Sequence, residues 1–193
     1  MRAPNPVVRP CATQDLAAIT AIYGHHVTHG SGSFEIDPPS QTDMTGRFEA
    51  IQHQGLPWLV AEQDAQVLGF AYAGPFRPRA GFRFLVEDSV YVHPEASGQG
   101  LGIALLAELI RLCTALGKRQ MLAVIGDSGN TGSWALHRRL GFEQVGILRG
   151  SGRKHGRWLD TVLMQRSLGN GLHSDPVDIE VASDAGFSPS QPR

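Results

Sequence analysis

The chain has 193 residues, and its 17 Lys and Arg against 18 Asp and Glu give a formal net charge of −1. With 41% hydrophobic and 18% charged residues, the sequence can bury the core of one domain. The balanced charge argues against a dedicated nucleic-acid-binding protein. No run approaches the roughly 18 apolar residues of a membrane span, and residues 1–6 lack the apolar stretch of a signal peptide. We therefore expect a cytoplasmic protein with neither a nucleic-acid nor a membrane partner.

Hydrophobic periodicity predicts a mixed α/β (α+β) fold with the order β-α-α-β-β-β-α-β-α-β-β and most strands in one sheet. Strands are expected at 7–10, 57–62, 67–74, 84–92, 121–125, 144–148 and 158–164. Helices are expected after an N-cap at Thr13, after an N-cap at Ser40 or Thr42, at 101–116 and at 133–140. The third helix is the clearest, because leucines from Leu101 to Leu116 recur every three or four residues.

Composition changes at the end of the chain. Residues 169–193 carry four acidic residues and one Arg and are rich in Pro, Ser, Gly and Asp. This composition predicts a folded domain over 1–168 and a disordered acidic tail over 169–193. Alternating Val177, Ile179 and Val181 leave open a short strand that pairs with a sheet edge.

Cysteines and histidines offer no framework for a disulfide or a metal ion. Cys11 and Cys113 are too few for a zinc site, and we interpret both as small apolar core residues. His25, His26 and His29 lie close together, but no second His-rich or Cys-rich segment complements them. We therefore expect no metal.

A glycine-rich loop joins the fourth predicted strand to the third helix. Gly98, Gly100 and Gly102 allow a ligand to approach the backbone closely. The N-terminus of the helix adds unpaired N–H groups and the positive end of the helix dipole, which suit a pyrophosphate. The spacing matches neither the dinucleotide-binding fingerprint nor a P-loop.

This loop resembles the acyl-CoA loop of the GNAT superfamily of N-acetyltransferases, with the pattern Gln/Arg-x-x-Gly-x-Gly/Ala. Ser97 stands at the first position, so the phosphates are expected to bind mainly backbone N–H groups. A second block, from Asn130 through Leu-Gly-Phe ending at Phe142, also matches. The resemblance implies a central, mixed, mostly antiparallel twisted sheet flanked by helices, with acetyl-CoA as co-substrate. The implied coenzyme-binding residues are Ser89, Val90, Tyr91, Ser97, Gly98, Gln99, Gly100, Leu101, Gly102, Asn130 and Ser133.

Residues 6–167 resemble one branch of the superfamily more closely, the phosphinothricin and methionine sulfoximine N-acetyltransferases. The shared segments are Gly74-Pro-Phe-Arg, Phe82 to Pro94, and Lys154-His-Gly-Arg-Trp-Leu-Asp. The resemblance implies acetylation of the α-amino group of small amino-acid analogues by a homodimer. It also places the catalytic carboxylate at Glu87 and an active-site histidine at His155.

Acetylation of an amine requires a base, and Glu87 is the candidate for it. Strand alternation puts it on one face with Leu85, Ser89 and Tyr91, and an ammonium group must lose a proton before it can attack a thioester. Burial in an apolar strand would raise the pKa of the carboxyl from about 4.3 to a more useful value. A backbone N–H near Tyr91 would stabilise the acetyl oxygen. The alternative is a structural ion pair of Glu87 with Arg83 or a neighbouring strand.

Two histidines are candidates for the remaining proton transfers. His155 is expected in a glycine-flanked turn, where it would help to deprotonate the amine or hold the substrate. His137 stands where the superfamily usually has Tyr, and would protonate the departing thiolate or contact the coenzyme. The alternatives are a surface-turn position for His155 and a helix-surface position for His137.

The acceptor site is expected to contain arginines and aromatic rings. Guanidinium groups bind carboxylate or phosphinate in a bidentate manner, and the rings would form the walls of the pocket. The candidates are Phe34, Phe76, Arg77, Arg79, Arg83 and Phe84. Their alternatives are a solvated basic loop and ordinary core positions.

Two rival functions remain open. The first is an acetyltransferase for another acceptor, either a polyamine, which the arginine cluster disfavours, or a protein N-terminus. The second is a non-catalytic domain that only binds acetyl-CoA, which the presence of Glu87 and the glycine loop disfavours.

Overall fold

The computed structural model describes residues 6–176 of the chain. Seven strands and four helices follow one another in the predicted order, which confirms the α/β fold class. The strands are β1 (Val7–Pro10), β2 (Trp58–Gln63), β3 (Gln66–Pro75), β4 (Leu85–Val92), β5 (Gln120–Gly126), β6 (Glu143–Lys154) and β7 (Arg157–Ser167). The helices are α1 (Leu16–His29), α2 (Gln41–His53), α3 (Leu101–Ala115) and α4 (Thr131–Arg139), with short 3-10 turns at 13–15, 80–82 and 94–96.

All seven strands form one sheet in the order β1-β2-β3-β4-β5-β7-β6. Every neighbouring pair is antiparallel except β4 and β5, which are parallel. A parallel pair requires a crossover connection, and α3 supplies it. The sheet is therefore mixed and mostly antiparallel, as expected.

The sheet divides along the β4–β5 seam. Residues 85–88 of β4 pair with residues 120–123 of β5. Beyond Asp88 and Ala123 the two strands no longer pair with each other, although β4 continues along β3 and β5 continues along β7. One edge of β4 from Ser89 to Val92 therefore faces an opening in the middle of the sheet.

Helices cover both faces of the sheet. On one face α1 packs against β3 and β4, and Tyr23 makes an edge-to-face contact with Tyr91, with 4.9 Å between ring centroids. On the other face α3 packs against β2, β3 and β4 through its buried leucines, including Leu105 and Leu109. Leu136 of α4 approaches Gly102 of α3 on that second face. Gly117 follows the C-cap of α3 and has a positive φ of 73°, which is the conformation that glycine commonly adopts after the end of a helix.

The helix N-termini differ in detail from the sequence prediction. Ser40 caps α2, and Ser40 and Asp43 form a reciprocal capping box. Thr13 does not cap α1, because residues 13–15 form a 3-10 turn first. Asp15 accepts a hydrogen bond from the Ala12 N–H at 2.8 Å and so stabilises that turn.

The last two strands are longer than predicted, and they meet in a tight turn at His155 and Gly156. Residues 149–153 of β6 are mostly exposed and rich in glycine, so they lack the periodicity that marks a strand. Part of the predicted tail is also described: residues 169–175 form turns in which Arg119 donates to the carbonyl oxygens of Ser174 and Asp175. Val177, Ile179, Val181 and the rest of the tail lie outside the described residues.

Candidate active site

The predicted catalytic strand presents its two faces to different helices. Glu87, Ser89 and Tyr91 share the face that α1 covers, as Tyr91 shows through its contacts with Tyr23 and His26. Glu87 is half-buried, and burial together with the negative charge of the adjacent Asp88 raises the pKa of its carboxyl. The strand therefore places a carboxylate with increased basicity near the opening between β4 and β5.

Ser89 and Tyr72 form a cross-strand pair next to Glu87. Burial raises the pKa of the Tyr72 hydroxyl, against the opposing effect of its hydrogen bond with Ser89. Tyr72 stacks on Trp58, with 4.2 Å between the ring centroids. An aromatic surface therefore lies beside the carboxylate on the α1 side.

The glycine loop has the geometry of an anion site. Gly98 and Gly100 have φ of +78° and +86°, a region that glycine adopts without strain, and Gly100 is the N-cap of α3. Apart from their chain neighbours, no heavy atom of residues 6–176 lies within 4 Å of a Cβ built on either glycine. The first N–H groups of α3 have no partner within the helix. A phosphate group therefore fits against this backbone.

Other candidates in the loop contribute differently from the glycines. Ser97 is exposed, and Gln99 donates from its side chain to the Glu95 carbonyl oxygen at 3.2 Å. The Leu101 side chain is buried in the core, so only its backbone faces the loop. Gly102 is needed for packing as well, because a Cβ there would come within 3.3 Å of Leu136.

The start of α4 lies at the far side of the opening. Asn130 is the N-cap, and its Oδ1 accepts a hydrogen bond from the Ser133 N–H at 3.2 Å. The Asn130 Nδ2 also lies 3.2 Å from the position of a Cβ on Gly32. Asn130 therefore borders the loop that follows α1, and Ser133 completes the cap of the helix.

His137 is not on the helix surface, so that alternative is wrong. It is 4% exposed, and its Nε2 lies 2.9 Å from Oδ2 of the buried Asp88. Its Nδ1 lies 2.7 Å from the Ser133 carbonyl oxygen. Because both ring nitrogens have protein partners, this arrangement offers no nitrogen to a departing thiolate, contrary to the first of the two expected roles. Contact of His137 with the coenzyme stays a prediction.

The loop of residues 30–39 contacts both the end of β5 and the β6–β7 hairpin, and no sequence pattern predicts these contacts. Ser31 donates to Asp127 at the end of β5, and the buried Lys154 donates to the Ser33 carbonyl oxygen at 2.8 Å. Burial lowers the pKa of Lys154, against the opposing effect of the Glu35 charge. Phe34 lies directly against Gly152 of β6, so its ring packs on the β6–β7 hairpin.

Glu35 is the centre of a polar cluster that no sequence pattern predicts. Its carboxylate accepts from Arg47 at 2.7 and 3.1 Å and from the Tyr23 hydroxyl at 2.8 Å. The charges of Arg47, Glu35 and Glu87 all act on Tyr72, which locates the cluster in the surroundings of the catalytic strand. These residues come from α1, α2 and a loop, and no short motif links them.

His155 lies apart from Glu87 in the sheet register. Glu87 is level with Leu122 of β5, and Leu122 is level with Gln165 of β7. His155 stands in the turn before β7 begins, ten residues before Gln165, with φ +49° and an exposed ring. Its Nε2 lies 3.2 Å from the Gly30 carbonyl oxygen. The structure therefore associates His155 with the loop of residues 30–39.

The predicted acceptor arginines lie in the connection between β3 and β4. Arg77, Arg79 and Arg83 are exposed there, with Arg77 over the ring of Phe76 and Arg83 over the ring of Phe84. Gly74 is paired with Glu87, so this connection begins two residues beyond the level of the carboxylate. The basic side chains and the carboxylate therefore belong to the same region of the sheet.

No group of His, Cys, Asp and Glu residues suited to a metal ion occurs within residues 6–176. In the group of His25, His26 and His29, the rings of His25 and His29 are 4.7 Å apart, and the His26 Nε2 lies 2.8 Å from the Val92 carbonyl oxygen. Because the Val92 carbonyl oxygen can only accept, the Nε2 of His26 is the donor. None of the helices in the described range is long and apolar enough to span a membrane.

The model of the acetyltransferase (GNAT) family matches residues 24–142, more than half of the chain. The chain belongs to the GNAT acetyltransferase family. The match covers α2 to α4 and with them Glu87, the glycine loop and Asn130. The matched segment therefore contains both strands that border the opening and the glycine loop between them.

Individual GNAT relatives are similar over nearly all of the described range. The chain is 53% identical to the phosphinothricin N-acetyltransferase of Alcaligenes faecalis over 164 residues, which is 85% of this chain and 83% of the relative. It is 43% identical to the L-methionine sulfoximine/L-methionine sulfone acetyltransferase of Pseudomonas paraeruginosa, over 83% of this chain and 94% of the relative. The relatives support N-acetylation of amino-acid analogues as the class of reaction.

A solved GNAT structure extends the similarity to three dimensions. The phosphinothricin acetyltransferase of Sinorhizobium meliloti, crystallised with AcCoA, has a TM-score of 0.88 and 48% identity to this chain. The alignment covers 91% of this chain and 95% of the Sinorhizobium protein.

Proposed function

We propose that this protein transfers the acetyl group of acetyl-CoA to the α-amino group of a small amino-acid analogue of the phosphinothricin or methionine sulfoximine type. The observation that supports the proposal best is the opening between β4 and β5, which ends at the glycine loop of α3. An extended ligand with amide groups can pair with the open edge of β4. Its pyrophosphate would then meet the N–H groups of Gly100 and Leu101.

In the proposed reaction Glu87 accepts a proton from the ammonium group of the acceptor, directly or through a water molecule. The neutral amine attacks the acetyl carbon and a C–N bond forms. The attacking nitrogen then loses its second proton to water while the C–S bond breaks, which gives the amide and releases the coenzyme as its thiolate. A backbone N–H near Tyr91 stabilises the negative charge on the acetyl oxygen. The raised pKa of Glu87 makes it a better base than an ordinary carboxylate.

The acceptor is proposed to bind between the β3–β4 connection and the loop of residues 30–39. Arg77 and Arg79 would hold its acidic groups, Arg83 and Phe84 would border the site, and Phe34 and Phe76 would contact its carbon chain. His155, through its contact with Gly30, is proposed to orient the loop and the substrate. His155→Ala is then expected to raise KM more than it lowers kcat.

A panel assay tests the acceptor class. Release of free thiol from acetyl-CoA should be fast with phosphinothricin, methionine sulfoximine and methionine sulfone, and slow with polyamines and peptide N-termini. A preference for polyamines or peptides would favour the alternative acceptors. Coenzyme binding without turnover of any amine would favour a binding module.

We also propose a homodimer in which the second copy contacts the β6–β7 hairpin. Val145 and Leu148 of β6 and Trp158 of β7 are 56%, 53% and 69% exposed, so this hairpin leaves three large apolar side chains uncovered. Sedimentation should give twice the chain mass, and Trp158→Ser should shift the equilibrium toward the monomer. A monomeric wild type would contradict this proposal. The cytoplasmic location stays a prediction.

A further inference from the structure

The strongest feature outside the proposed reaction is a buried ion pair beneath the opening of the sheet. Asp88 and His137 are 7% and 4% exposed, and the Asp88 Oδ2 lies 2.9 Å from the His137 Nε2. The second oxygen of Asp88 is buried without a hydrogen-bond partner among residues 6–176. A buried carboxylate with one partner is costly unless a positive charge compensates it.

The hydrogen-bond geometry defines the protonation of the ring. The Ser133 carbonyl oxygen can only accept, so the His137 Nδ1 carries a proton. A carboxylate can only accept, so next to the carboxylate form of Asp88 the Nε2 carries a proton as well. Burial lowers the pKa of His137, but the hydrogen bond to Asp88, its charge and the Ser133 carbonyl outweigh this and raise it. The pair is therefore an imidazolium with a carboxylate.

The two partners come from the elements that bear the candidate groups of the site. Asp88 follows Glu87 on β4 and is the last residue of β4 that pairs with β5. His137 lies on α4, whose N-cap is Asn130. The pair therefore joins the helix at one side of the opening to the strand at the other side, at the level where the sheet begins to divide.

We propose that Asp88 and His137 form a positioning pair that fixes α4 and its Asn130 against the strand that carries Glu87. The effect of this pair on catalysis rests on the proposed function, whereas the link between α4 and β4 is independent of it. His137 acts on the reaction through Asp88 and α4, and it does not donate to the thiolate. Phe142 supports the ring edge-to-face, with 5.0 Å between the ring centroids.

The charge of Asp88 also reaches Glu87. Within the described residues, Asp88 acts on the titration of Glu87 beside it, of His137 from α4 and of the Cys113 thiol from α3. Glu87 in turn acts on the Tyr72 hydroxyl of β3. Burial is the largest cause of the raised pKa of Glu87, and the negative charge of Asp88 is the second. Loss of the Asp88 charge is therefore expected to lower the pKa of Glu87 and make it a weaker base, although the Glu87 side chain itself is unchanged.

Two variants separate the link from the charge. In Asp88→Asn the side-chain amide can donate to a neutral His137, so the link remains while the carboxylate charge and the positive charge of the ring both disappear. His137→Phe keeps a ring against Phe142 and removes the link. Asp64→Asn is the control, because it removes a carboxylate from the exposed β2–β3 turn, where φ is +50° and Asn is well tolerated.

The measurements are the dissociation constant of CoA by calorimetry and the pKa of Glu87 by carbon NMR, with Glu87→Gln for assignment. Asp88→Asn should leave the dissociation constant within about twofold and lower the pKa of Glu87. His137→Phe should weaken CoA binding by about threefold or more. Asp64→Asn should change neither quantity. If His137→Phe does not fold, Asp88→Val/His137→Phe removes the pair without leaving a buried carboxylate.

Two results would overturn the proposal. One is an unchanged CoA affinity in both variants that lack His137. The other is a loss of kcat by about 100-fold or more in His137→Phe with CoA affinity intact, which would assign His137 to proton transfer. Neither measurement on CoA or Glu87 requires an acceptor, so a wild type that acetylates none of the panel would refute the proposed function alone.

Discussion

The α-carbon of Gly126 lies so close to the backbone at Ser31 that no side chain fits between them. A Cβ on Gly126 would be 2.6 Å from the Ser31 carbonyl oxygen and 2.9 Å from that of Gly32. Gly126 ends β5, so the loop of residues 30–39 packs directly on the strand that borders the opening. The shape of the acceptor side of the site therefore depends on a position without a side chain.

Gly126→Ala should consequently lower the free energy of unfolding by about 1–3 kcal/mol, because the added methyl must displace backbone. It should also raise KM for the acceptor by moving the loop. Chemical denaturation and steady-state kinetics measure the two effects. Gly46→Ala, in the middle of α2, should instead stabilise by up to about 1 kcal/mol, because beyond its chain neighbours and its own helix backbone no atom of residues 6–176 lies within 4 Å of the new methyl. Equal behaviour of the two variants would contradict the close contact.

Glu87→Gln keeps the shape of the side chain and removes the base. We expect kcat to fall by about 10²–10⁴-fold with little change in acetyl-CoA affinity. In the wild type, activity should decline as the pH falls through the raised pKa of Glu87, at a pH above the ordinary 4.5. The variant should recover partly at high pH, where neutral amine is abundant. A near-normal kcat at neutral pH would make the carboxylate structural.

The same carboxyl should cost stability. Its folded-state pKa is raised, so the folded protein binds this proton more tightly than the unfolded chain does, and stability falls as the pH rises from about 4.5 through the raised value. Glu87→Gln should therefore be at least as stable as the wild type at neutral pH. Thermal melting at two pH values measures this difference, and a destabilised variant at pH 7 would contradict it.

The glycine loop can be tested at a single residue. Gly100→Ala places a side chain on a backbone with φ +86°, which should cost about 1–2 kcal/mol of stability and block the approach of a phosphate. Acetyl-CoA at 100 times its dissociation constant should stabilise the wild type by about 2.7 kcal/mol and the variant much less. Gly55→Ala has a similar strain (φ +65°) far from the loop. It should lose stability but keep the full acetyl-CoA shift.

Asp127 should stabilise the fold in a pH-dependent way. Hydrogen bonds from Arg157, the Gly129 N–H and Ser31 lower the pKa of its carboxyl from 3.8 to about 2. The contribution of the ionised Asp127 to the free energy of unfolding, about 1–2 kcal/mol, is thus complete above the pKa of the unfolded chain and disappears as the pH falls toward 2. Asp127→Asn should be destabilised at pH 7 and nearly equal to the wild type near pH 2. A difference that is independent of pH would assign the effect to packing.

The polar, acidic composition of the end of the chain predicts that it adds little to stability or activity. Removal of residues 177–193 should change activity by less than about twofold and hardly change the melting temperature. Truncation after Leu168 would also remove the exposed hydrogen bonds of Arg119 to Ser174 and Asp175, and should cost only slightly more. A large loss in the shorter truncation would show that the tail packs on the domain or on a second copy.

The order of the elements could be predicted from the sequence because each buried strand and helix carries its own periodicity. The glycine loop and Glu87 could be found because their chemistry needs particular residues at short spacing. The role of His137 could not be predicted, because its burial depends on Asp88, which is 49 residues away. Glu35, Arg47, Tyr23 and Lys154 were missed for the same reason: they meet only through packing.

The division of the sheet also has a mechanical consequence. β1 to β4 and β5 to β7 are joined directly by only a short run of paired residues, 85–88 with 120–123. An extended ligand in the opening would act as a temporary strand that bridges both parts. Backbone amides along the open edge, from Ser89 to Val92, should then exchange with solvent more slowly when the coenzyme is bound. The rigidity of this domain would thus follow the supply of its own substrate.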